Sequence, residues 1–424
     1  MLSKYNIYVE EDEEIWIYNN YKKKIIRIST KEYQQLNDNE LENCNPKLYK
    51  RLIQYNIIYE GDDETKALLN THQQRIRNSR LDIMIMSSTA CNFNCSYCYE
   101  EFVPKNIDGL FEKTFIKFLN QNISKYSSLF IEWFGGEPLL AKKYVISIAK
   151  KARGICKKIN IPFLSSITTN GYYLNYAVFS ELLDGNVIYF QVTIDGNKKW
   201  HDKYRPLKNG DGTYEVIFNN LLSIKRNVPI NKIFRLTIRS NICNDNKEAC
   251  MQFEKIFEEN FGDDDRFQLF HFPIKDWGGK KITEIKDQLI LQETLQLSHT
   301  ENYRNDIFES IESSSCLAAK KNGFVIDPDY KVYKCNHFIQ GKKVNNLHNN
   351  VGILKPNGEL FIDEYKNNEW IQHVVTEQCC SCDYLPNCLT TCPLCKIEPK
   401  DGCKREKEEE LGNKIMQYIK KQCR

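Results

Sequence analysis

Three cysteines within eight residues constrain this chain more than any other feature of its sequence. Cys91, Cys95 and Cys98 have the spacing Cys-x3-Cys-x2-Cys, and Tyr97 precedes the last thiol. Three thiolates so close together can hold three irons of a cubane iron–sulfur cluster and leave the fourth iron without a protein ligand. An iron with an open position can bind a small molecule, so the loop is predicted to be reactive. The alternative is structural zinc, which is usually held by two separated Cys/His pairs.

The composition describes an ordinary globular protein of two or three domains. The chain has 424 residues, of which 41% are hydrophobic, and a net charge of only +3, so nucleic acid is not an expected partner. We expect no membrane segment and, because the first residues lack the apolar run of a signal peptide, a cytoplasmic location. In such a compartment the 17 cysteines are more readily explained as metal ligands than as disulfides. Cys44, Cys156, Cys243 and Cys250 have no motif spacing and are interpreted as small buried side chains.

Residues 1–80 read as short strands followed by helices. The predicted elements are strands Tyr5 to Val9, Ile15 to Tyr18 and Lys24 to Ile28, a helix from Ser29, a helix over Pro46 to Gln54, and a strand over Ile57 to Tyr59. This pattern suggests a winged-helix-like module. The alternative is an extension packed onto the next domain.

Residues 81–280 alternate between strands and helices. The predicted strands are Leu81 to Met86, Leu129 to Trp133, Phe163 to Thr169, Ile188 to Ile194, Ile233 to Ile238 and Arg266 to Phe270. Helices such as Lys142 to Lys158 lie between them. Six such repeats predict an α/β fold in which a parallel sheet curls into a partial or full TIM-like barrel. Residues 281–315 are predicted to be connecting helices, and the cysteine-rich residues 316–424 a metal-stabilised domain.

A glycine-rich turn follows the second strand of this series. It consists of Gly135, Gly136, Glu137 and Pro138. Two glycines allow the backbone to approach a ligand closely, and the Glu137 carboxylate can accept a hydrogen bond from an ammonium group. The same residues can form an ordinary turn, but their position one strand–helix unit after the cysteine loop favours the binding role.

Polar side chains also follow the third and fourth strands. Asn170 and Thr193 have amide and hydroxyl groups that suit a ribose, and Arg205 or Arg239 can pair with a carboxylate. The alternative for each residue is a turn or a surface ion pair. In barrels of parallel strands the reactive groups lie at the carboxyl ends of the strands, where these residues are predicted.

The cysteine loop and the glycine-rich turn together resemble the radical S-adenosylmethionine (SAM) enzymes. The resemblance covers about Leu81 to Phe272 and implies a partial (β/α)6 barrel and a [4Fe–4S] cluster whose open iron binds the amino and carboxylate groups of SAM. It further implies SAM contacts from Tyr97 to the adenine, from Gly135 to Pro138 to the amino group, and from Asn170, Thr193 and Arg205 to the ribose and carboxylate. In that family, reductive cleavage of SAM yields a 5′-deoxyadenosyl radical that takes a hydrogen atom from the substrate.

The C-terminal cysteines resemble a SPASM domain, which carries auxiliary iron–sulfur clusters in radical SAM enzymes that modify peptides and proteins. The matching positions are Cys316 and Cys335, then the run Cys379-x2-Cys382-x5-Cys388-x3-Cys392, and finally Cys403. This resemblance implies an outer cluster held by Cys379, Cys382, Cys388 and Cys403. It implies an inner cluster with three cysteine ligands, Cys316, Cys335 and Cys392. The expected total is three [4Fe–4S] clusters.

The chain departs from the SPASM pattern at two places. Tyr330 stands where the family usually has Gly, five residues before Cys335. No cysteine occurs shortly before Cys316 to complete the inner cluster, so its open iron either binds a substrate thiolate or recruits Cys380 or Cys395. Cys395 is also an alternative to Cys403 as the last ligand of the outer cluster.

The resemblance implies a cytoplasmic maturase for ribosomally made peptides. The N-terminal module then resembles a leader-peptide recognition element, which binds an extended peptide as an added strand. The expected partners are a precursor peptide bound through its leader and an electron donor such as flavodoxin or ferredoxin. The missing inner ligand favours a thioether cross-link as the product.

Two alternative functions remain open. One is oxidation of Cys or Ser to formylglycine, as in sulfatase maturation. Sulfatase-maturing members have Asp directly after the cysteine that corresponds to Cys335. This chain has Asn336, which cannot serve as a carboxylate base and therefore argues against formylglycine formation. The other is a non-catalytic, zinc-stabilised peptide-binding protein, which leaves the glycine-rich turn unexplained.

Overall fold

The computed structural model describes residues 1–11, 13–38, 45–100, 103–274, 316–338, 349–372, 375–390 and 393. The chain divides into two units. The terminal unit consists of the described residues within Met1–Asn78, Arg304–Lys321 and Asn368–Arg424, and the central unit of those within Ser79–Tyr303 and Asn322–Asn367. The connecting helices predicted over 281–315 lie outside the described residues.

The terminal unit begins with an antiparallel three-stranded sheet and three helices. In chain order these are β1 (Asn6–Glu11), β2 (Glu14–Asn19), β3 (Lys24–Ser29), α1 (Thr30–Asn37), α2 (Pro46–Gln54) and α3 (Glu64–Ile76). Alternating apolar residues of β2 and β3, such as Ile17 and Ile26, form a core with Leu52 of α2. A capping box starts α1, because Ser29 and Glu32 each accept a hydrogen bond from the other's backbone N–H.

The strand predicted over Ile57 to Tyr59 is wrong. Ile58 forms only an isolated bridge with Leu2. The amides of Ile57 and Ile58 both donate to the carbonyl oxygen of Leu52, at 2.8 and 3.3 Å, because the chain turns back at the end of α2. These amides are therefore not available for a ladder, and the winged-helix assignment stays a prediction.

The central unit is built on a ten-stranded sheet. Its first elements are β4 (Arg80–Ser88), α4 (Gly109–Asn122), β5 (Ser128–Gly135), α5 (Lys142–Lys158), β6 (Phe163–Thr169), α6 (Tyr176–Asp184), β7 (Val187–Thr193), α7 (Lys198–Tyr204), α8 (Tyr214–Asn227), β8 (Arg235–Ile242), α9 (Lys247–Phe261) and β9 (Phe267–Pro273). Strands β4 to β9 are adjacent in chain order and parallel. The predicted α/β fold with a mostly parallel sheet is confirmed.

Most predicted bounds in this unit agree closely with the structure. Strand β6 and helix α5 have the predicted bounds. Strand β8 begins at Arg235 rather than at Ile233, because Ile233 lies in a loop with 82% of its surface exposed. From the sequence alone, an apolar residue in an exposed loop cannot be distinguished from the first residue of a buried strand.

Four further strands extend the sheet beyond β4, which the sequence pattern did not predict. The remaining elements are β10 (Gly323–Ile326), β11 (Lys331–Tyr333), β12 (Asn350–Leu354), β13 (Leu360–Ile362), α10 (Glu364–Ile371), α11 (Glu377–Cys380) and α12 (Leu385–Thr390). Strand β10 pairs with β4 in parallel, and β11 to β13 follow as an antiparallel meander. Part of the cysteine-rich region thus belongs to the central sheet. None of the described helices combines the length and the apolar character that a membrane crossing requires.

The C-terminal helices of the terminal unit pack on its N-terminal part. Leu385 and Leu389 of α12 share a core with Tyr5, Tyr21 and Leu68. The cysteines near these helices therefore belong to the same unit as the N-terminal sheet.

Candidate functional site

A cavity of about 380 Å³ opens at the carboxyl ends of strands β5 to β9. Several residues predicted to bind a cluster or SAM line it together: Cys91, Cys95, Cys98, Tyr97, Gly135, Gly136, Asn170, Thr193 and Arg205. They come from different loops, which the parallel topology brings to one edge of the sheet. The wall also contains Glu100, which the sequence pattern did not single out and whose carboxyl pKa is raised to about 7 by burial.

The cysteine loop leaves the end of β4 and pairs with the segment after α7. The amides of Asn94 and Ser96 donate to the carbonyl oxygens of Pro206 and Tyr204, at 2.8 and 3.0 Å. The amide of Lys208 donates in turn to the carbonyl oxygen of Asn92 at 3.1 Å. These backbone bonds hold the loop in one conformation without using any thiol.

The three thiols are partly or fully buried in the cavity wall. Burial raises the pKa of the Cys91 thiol and of the Cys98 thiol to about 12 in each case. In the described part of the chain, no three Cys, His, Asp or Glu side chains gather closely enough to hold a single metal ion. A cubane cluster binds each cysteine through a different iron, so thiols spread around one cavity fit it, and their protons are displaced when it binds.

The two glycines allow close contact between the ends of β4 and β5. Gly135 has a φ of +122°, and a Cβ there would lie 2.1 Å from the carbonyl oxygen of Ser88. A Cβ at Gly136 would lie 2.5 Å from the carbonyl oxygen of Ala90. Glycine is therefore required first by the chain's own packing, which sets the turn directly against the cysteine loop.

Glu137 is fully buried and bonds to the chain itself. Its carboxylate accepts hydrogen bonds from the backbone N–H groups of Leu139 and Asn170, at 3.0 and 2.7 Å, and from the Thr169 hydroxyl at 2.6 Å. Burial raises the pKa of this carboxyl, and the three bonds oppose the rise. Pro138 is buried as well. Glu137 thus anchors the end of β6 to the glycine-rich turn, and its predicted contact with SAM stays a prediction.

A buried polar network surrounds the Tyr97 hydroxyl. The hydroxyl donates to Asp195 and accepts from Nη1 of Arg205 at 2.6 Å and from Nδ2 of Asn241 at 2.9 Å. Asp195 also accepts from the backbone N–H of Asn241 at 2.8 Å. Burial raises the pKa of the Asp195 carboxyl, opposed by the Arg205 guanidinium. The sequence prediction missed Asn241, although this residue follows the strand-end rule that selected Asn170 and Thr193.

His201 is linked to this network through the backbone of Asp195. Its Nδ1 accepts a hydrogen bond from the backbone N–H of Asp195 at 3.1 Å, so the ring proton lies on Nε2, which contacts the Thr213 hydroxyl at 3.0 Å. The Thr213 hydroxyl donates to the carbonyl oxygen of Arg205 at 2.8 Å. Burial lowers the pKa of His201 well below its ordinary value, so the imidazole is neutral and has a structural role.

Three buried polar atoms near the cavity have no hydrogen-bond partner within the described residues. They are Nε of Arg205, Nδ2 of Asn92 and the hydroxyl of Ser96. Leaving such groups unpaired is costly unless a ligand satisfies them. A guanidinium with one unpaired nitrogen in a wall that also contains three thiols and two glycines fits a zwitterionic ligand with a carboxylate, such as SAM.

The predicted auxiliary-cluster cysteines lie in both units. Cys379 and Cys382 are half-buried, and Cys388 and Cys316 are exposed, all in the terminal unit. Cys335 is 9% exposed and belongs to the central unit. Cys392, Cys395 and Cys403 lie outside the described residues, as does Cys44. Cys156, Cys243 and Cys250 are at most 1% exposed, which confirms them as buried side chains.

Tyr330 adopts the backbone conformation that glycine would supply. Its φ is +65°, in the left-handed region, and its ring packs on Phe111 with centroids 5.4 Å apart. The turn before Cys335 therefore has a left-handed backbone conformation, which glycine adopts more readily than tyrosine.

Residues 85–241 match the model of the Radical SAM superfamily. The chain contains a radical SAM domain. The match confirms the resemblance drawn from the cysteine loop and the glycine-rich turn. The cofactors of a radical SAM domain are SAM and a [4Fe–4S] cluster, which the donor groups of the cavity fit.

The radical SAM domain is related to those of anaerobic sulfatase-maturating enzymes. The cysteine-type enzyme of Clostridium novyi is 24% identical over 362 residues, which cover 77% of this chain and 88% of the relative. The serine-type enzyme of Bacteroides thetaiotaomicron is 24% identical over 348 residues, which cover 72% and 80%. The solved structure of native anSMEcpe with bound AdoMet and the Kp18Cys peptide aligns over 80% of this chain and 98% of that chain, with a TM-score of 0.54 at 17% identity. The alignment confirms the radical SAM fold.

Proposed function

We propose that this radical SAM enzyme modifies a ribosomally made precursor peptide, with a thioether cross-link as the favoured product. The observation that carries the radical SAM chemistry is the cavity, which is lined by three thiols, two glycines and Arg205, whose buried Nε has no partner within the described residues. The zinc-stabilised, non-catalytic alternative accounts for the thiols but not for a buried arginine nitrogen without a partner in the described residues.

Each part of the cavity wall is assigned a role. Cys91, Cys95 and Cys98 are assigned to the [4Fe–4S] cluster, and Arg205, whose Nε has no partner within the described residues, is assigned to the SAM carboxylate. The adenosine and the amino group are assigned to Tyr97, Asn170, Thr193 and the turn from Gly135 to Pro138. When bound, the cluster and SAM supply the radical that takes a hydrogen atom from the substrate. The protein positions these groups and limits the entry of water.

Residues 316–424 are proposed to form the SPASM domain with two auxiliary clusters. Cys379 and Cys382 lie on one turn, with the Cys382 amide donating to the Cys379 carbonyl oxygen at 3.1 Å, and α12 leads from them to Cys388. With Cys403 these thiols would hold the outer cluster. The inner cluster would use Cys316, Cys335 and Cys392, and its missing fourth ligand supports the thioether product.

Residues 1–80 are proposed to hold the leader of the precursor, and residues 81–280 to form the catalytic barrel. An antiparallel sheet of three strands has two edges, to which an extended peptide can add as a further strand. A flavodoxin or ferredoxin would deliver the electron. A cytoplasmic location is proposed because iron–sulfur clusters with open positions need a reducing compartment.

Formylglycine formation is the second candidate, because the two relatives described are sulfatase-maturating enzymes that align along most of their length. The position after Cys335 opposes it. Asn336 cannot act as a carboxylate base, whereas Asp occupies this position in sulfatase-maturing enzymes.

The test uses the full chain, purified and reconstituted without oxygen. The wild type should form 5′-deoxyadenosine from SAM, and the combined Cys91→Ala, Cys95→Ala and Cys98→Ala variant should form none, by liquid chromatography and mass spectrometry. Cys156→Ala, which removes a buried thiol of α5 outside the cavity wall, is the matched control and should remain active. 5′-deoxyadenosine formed by the triple variant would refute the cluster assignment.

The substrate is tested by mass spectrometry of two peptides. A cognate precursor should lose two daltons together with one alkylatable cysteine. A two-dalton loss with every cysteine still alkylatable would rule out the thioether. Conversion of a leaderless sulfatase-type peptide to formylglycine would favour the second candidate instead.

A further inference from the structure

The Tyr97 hydroxyl has used all of its hydrogen-bonding capacity within the protein. A phenol has one donor and two acceptor positions, and here it donates to Asp195 and accepts from Arg205 and Asn241. It therefore has no position left for a ligand. The hydroxyl joins the cysteine loop to the ends of β7 and β8 and to the segment after α7.

The direction of these bonds depends on Asp195. An ionised carboxylate only accepts hydrogen bonds, so the phenol proton must point at Asp195 and both lone pairs remain for Arg205 and Asn241. Asp195 is itself fixed, because it has no exposed surface and bonds to the backbone N–H of Asn241 and, through its own N–H, to Nδ1 of His201. Without this acceptor the hydroxyl can turn its proton towards the guanidinium and lose that bond.

The bond to Tyr97 also orients Arg205. Nη1 of Arg205 is held by the hydroxyl, and Nε is buried without a partner in the described residues. A guanidinium is planar, so the hydrogen bond at Nη1 and a ring contact on its face together restrict the direction in which Nε points. The guanidinium carbon lies 5.7 Å from the centroid of Phe93.

We propose that Asp195 is a positioning residue that acts through the Tyr97 hydroxyl to orient the guanidinium of Arg205, with its unpaired Nε, towards the carboxylate of the bound ligand. This inference rests on the proposed function, because the ligand it concerns is SAM. It assigns Tyr97 a role for its hydroxyl in addition to the role of its ring.

The experiment compares two ligands that differ in one group. Dissociation constants for SAM and for decarboxylated SAM are measured with the reconstituted holoenzyme. Asp195→Asn and Tyr97→Phe should each raise the dissociation constant of SAM about tenfold, which is the effect expected from the loss of one charge-assisted hydrogen bond. Both variants should change the affinity for decarboxylated SAM less than about twofold, because that ligand has no carboxylate for Arg205. Arg205→Lys should give the same selective loss.

The matched control is Asp264→Asn, which alters a buried carboxylate paired with Arg266 at 2.7 Å outside the cavity wall. It should leave both affinities unchanged. The inference would be overturned if Asp195→Asn and Tyr97→Phe both lowered the affinity for the two ligands equally, or if both left the two affinities unchanged. Tyr97→Phe keeps the ring and so remains informative if Asp195→Asn does not fold. A wild type that binds neither ligand would instead overturn the proposed function, and this inference with it.

Discussion

The terminal unit and the central unit each bury a network of polar side chains, and the two networks differ in how completely their hydrogen bonds are satisfied. In the terminal unit, Glu64 accepts from the Ser3 hydroxyl at 2.7 Å, from Asn56 Nδ2 at 2.6 Å and from the backbone of Lys4 at 3.1 Å. Asn19 bonds to the same Ser3 hydroxyl at 3.0 Å. No buried side-chain atom of these residues lacks a partner within the described structure.

The network around the cavity is incomplete by the same measure. No buried side-chain atom of Tyr97, Asp195 or Asn241 lacks a hydrogen-bond partner. Three buried atoms nearby have none within the described chain: Nε of Arg205, Nδ2 of Asn92 and the hydroxyl of Ser96. Partly satisfied networks are unfavourable in a protein interior unless another group completes them. Under the proposed function, the first network stabilises the fold and the second is completed by a bound ligand.

The largest effect is expected at Glu137, the satisfied carboxylate beneath the cavity. Glu137→Ala leaves the Thr169 hydroxyl and two backbone N–H groups buried without an acceptor, and should lower the free energy of unfolding by about 3 kcal/mol or more. Urea unfolding and hydrogen exchange of β6 measure it. Glu137→Gln, which keeps one acceptor oxygen, should cost about half as much. Unchanged stability in both variants would mean that Glu137 serves a ligand rather than the fold.

A somewhat smaller effect is expected at Glu64 in the terminal network. Glu64→Ala removes the acceptor of the Ser3 hydroxyl and of the Lys4 backbone N–H, and should destabilise the terminal unit by about 2 kcal/mol. Hydrogen exchange should accelerate in peptides from residues 1–78, with no change in the dissociation constant of SAM. A loss of SAM affinity comparable to that of Tyr97→Phe would contradict the separation of the two networks.

The smallest effect is a pH dependence at Lys23, whose amine donates to Asn20 at 2.8 Å and to Asn387 at 3.0 Å. Burial lowers the pKa of Lys23 from 10.5 to about 7. Between these values the unfolded chain binds a proton that the folded chain does not, so Lys23 should make the terminal unit more stable as the pH rises from about 7 to about 10.5.

The measurement is the difference in unfolding free energy between the wild type and Lys23→Met at about pH 6.5 and about pH 9, on either side of the folded-state pKa and under reducing conditions. Other groups titrate in both proteins and cancel in the difference. The unfolding free energy of the wild type, relative to that of the variant, should be larger at the higher pH. A constant difference would show that the amine keeps its proton in the folded state.

Local sequence patterns predict the elements and one part of the site. Helix α5 and strand β6 have the predicted bounds, and the spacing of Cys91, Cys95 and Cys98 is enough by itself to indicate the cluster loop. These signals are local, because helical periodicity, strand alternation and ligand spacing are all read within a short window. Such local signals can also be wrong. Ile57 lies in a β-rich segment, but its amide bonds back to the carbonyl oxygen of Leu52 and the segment is not a strand.

Reading the residues in order is enough to predict that strands alternate with helices and that a thiol triplet follows the first strand of that series. It does not predict that Tyr97, Asp195, Arg205 and Asn241 form one network, that Glu137 is buried, or that β10 to β13 extend the central sheet. The hydrogen bonds of this network join segments separated by about a hundred residues or more, and bonds over such separations are selected by packing and burial rather than by neighbouring residues.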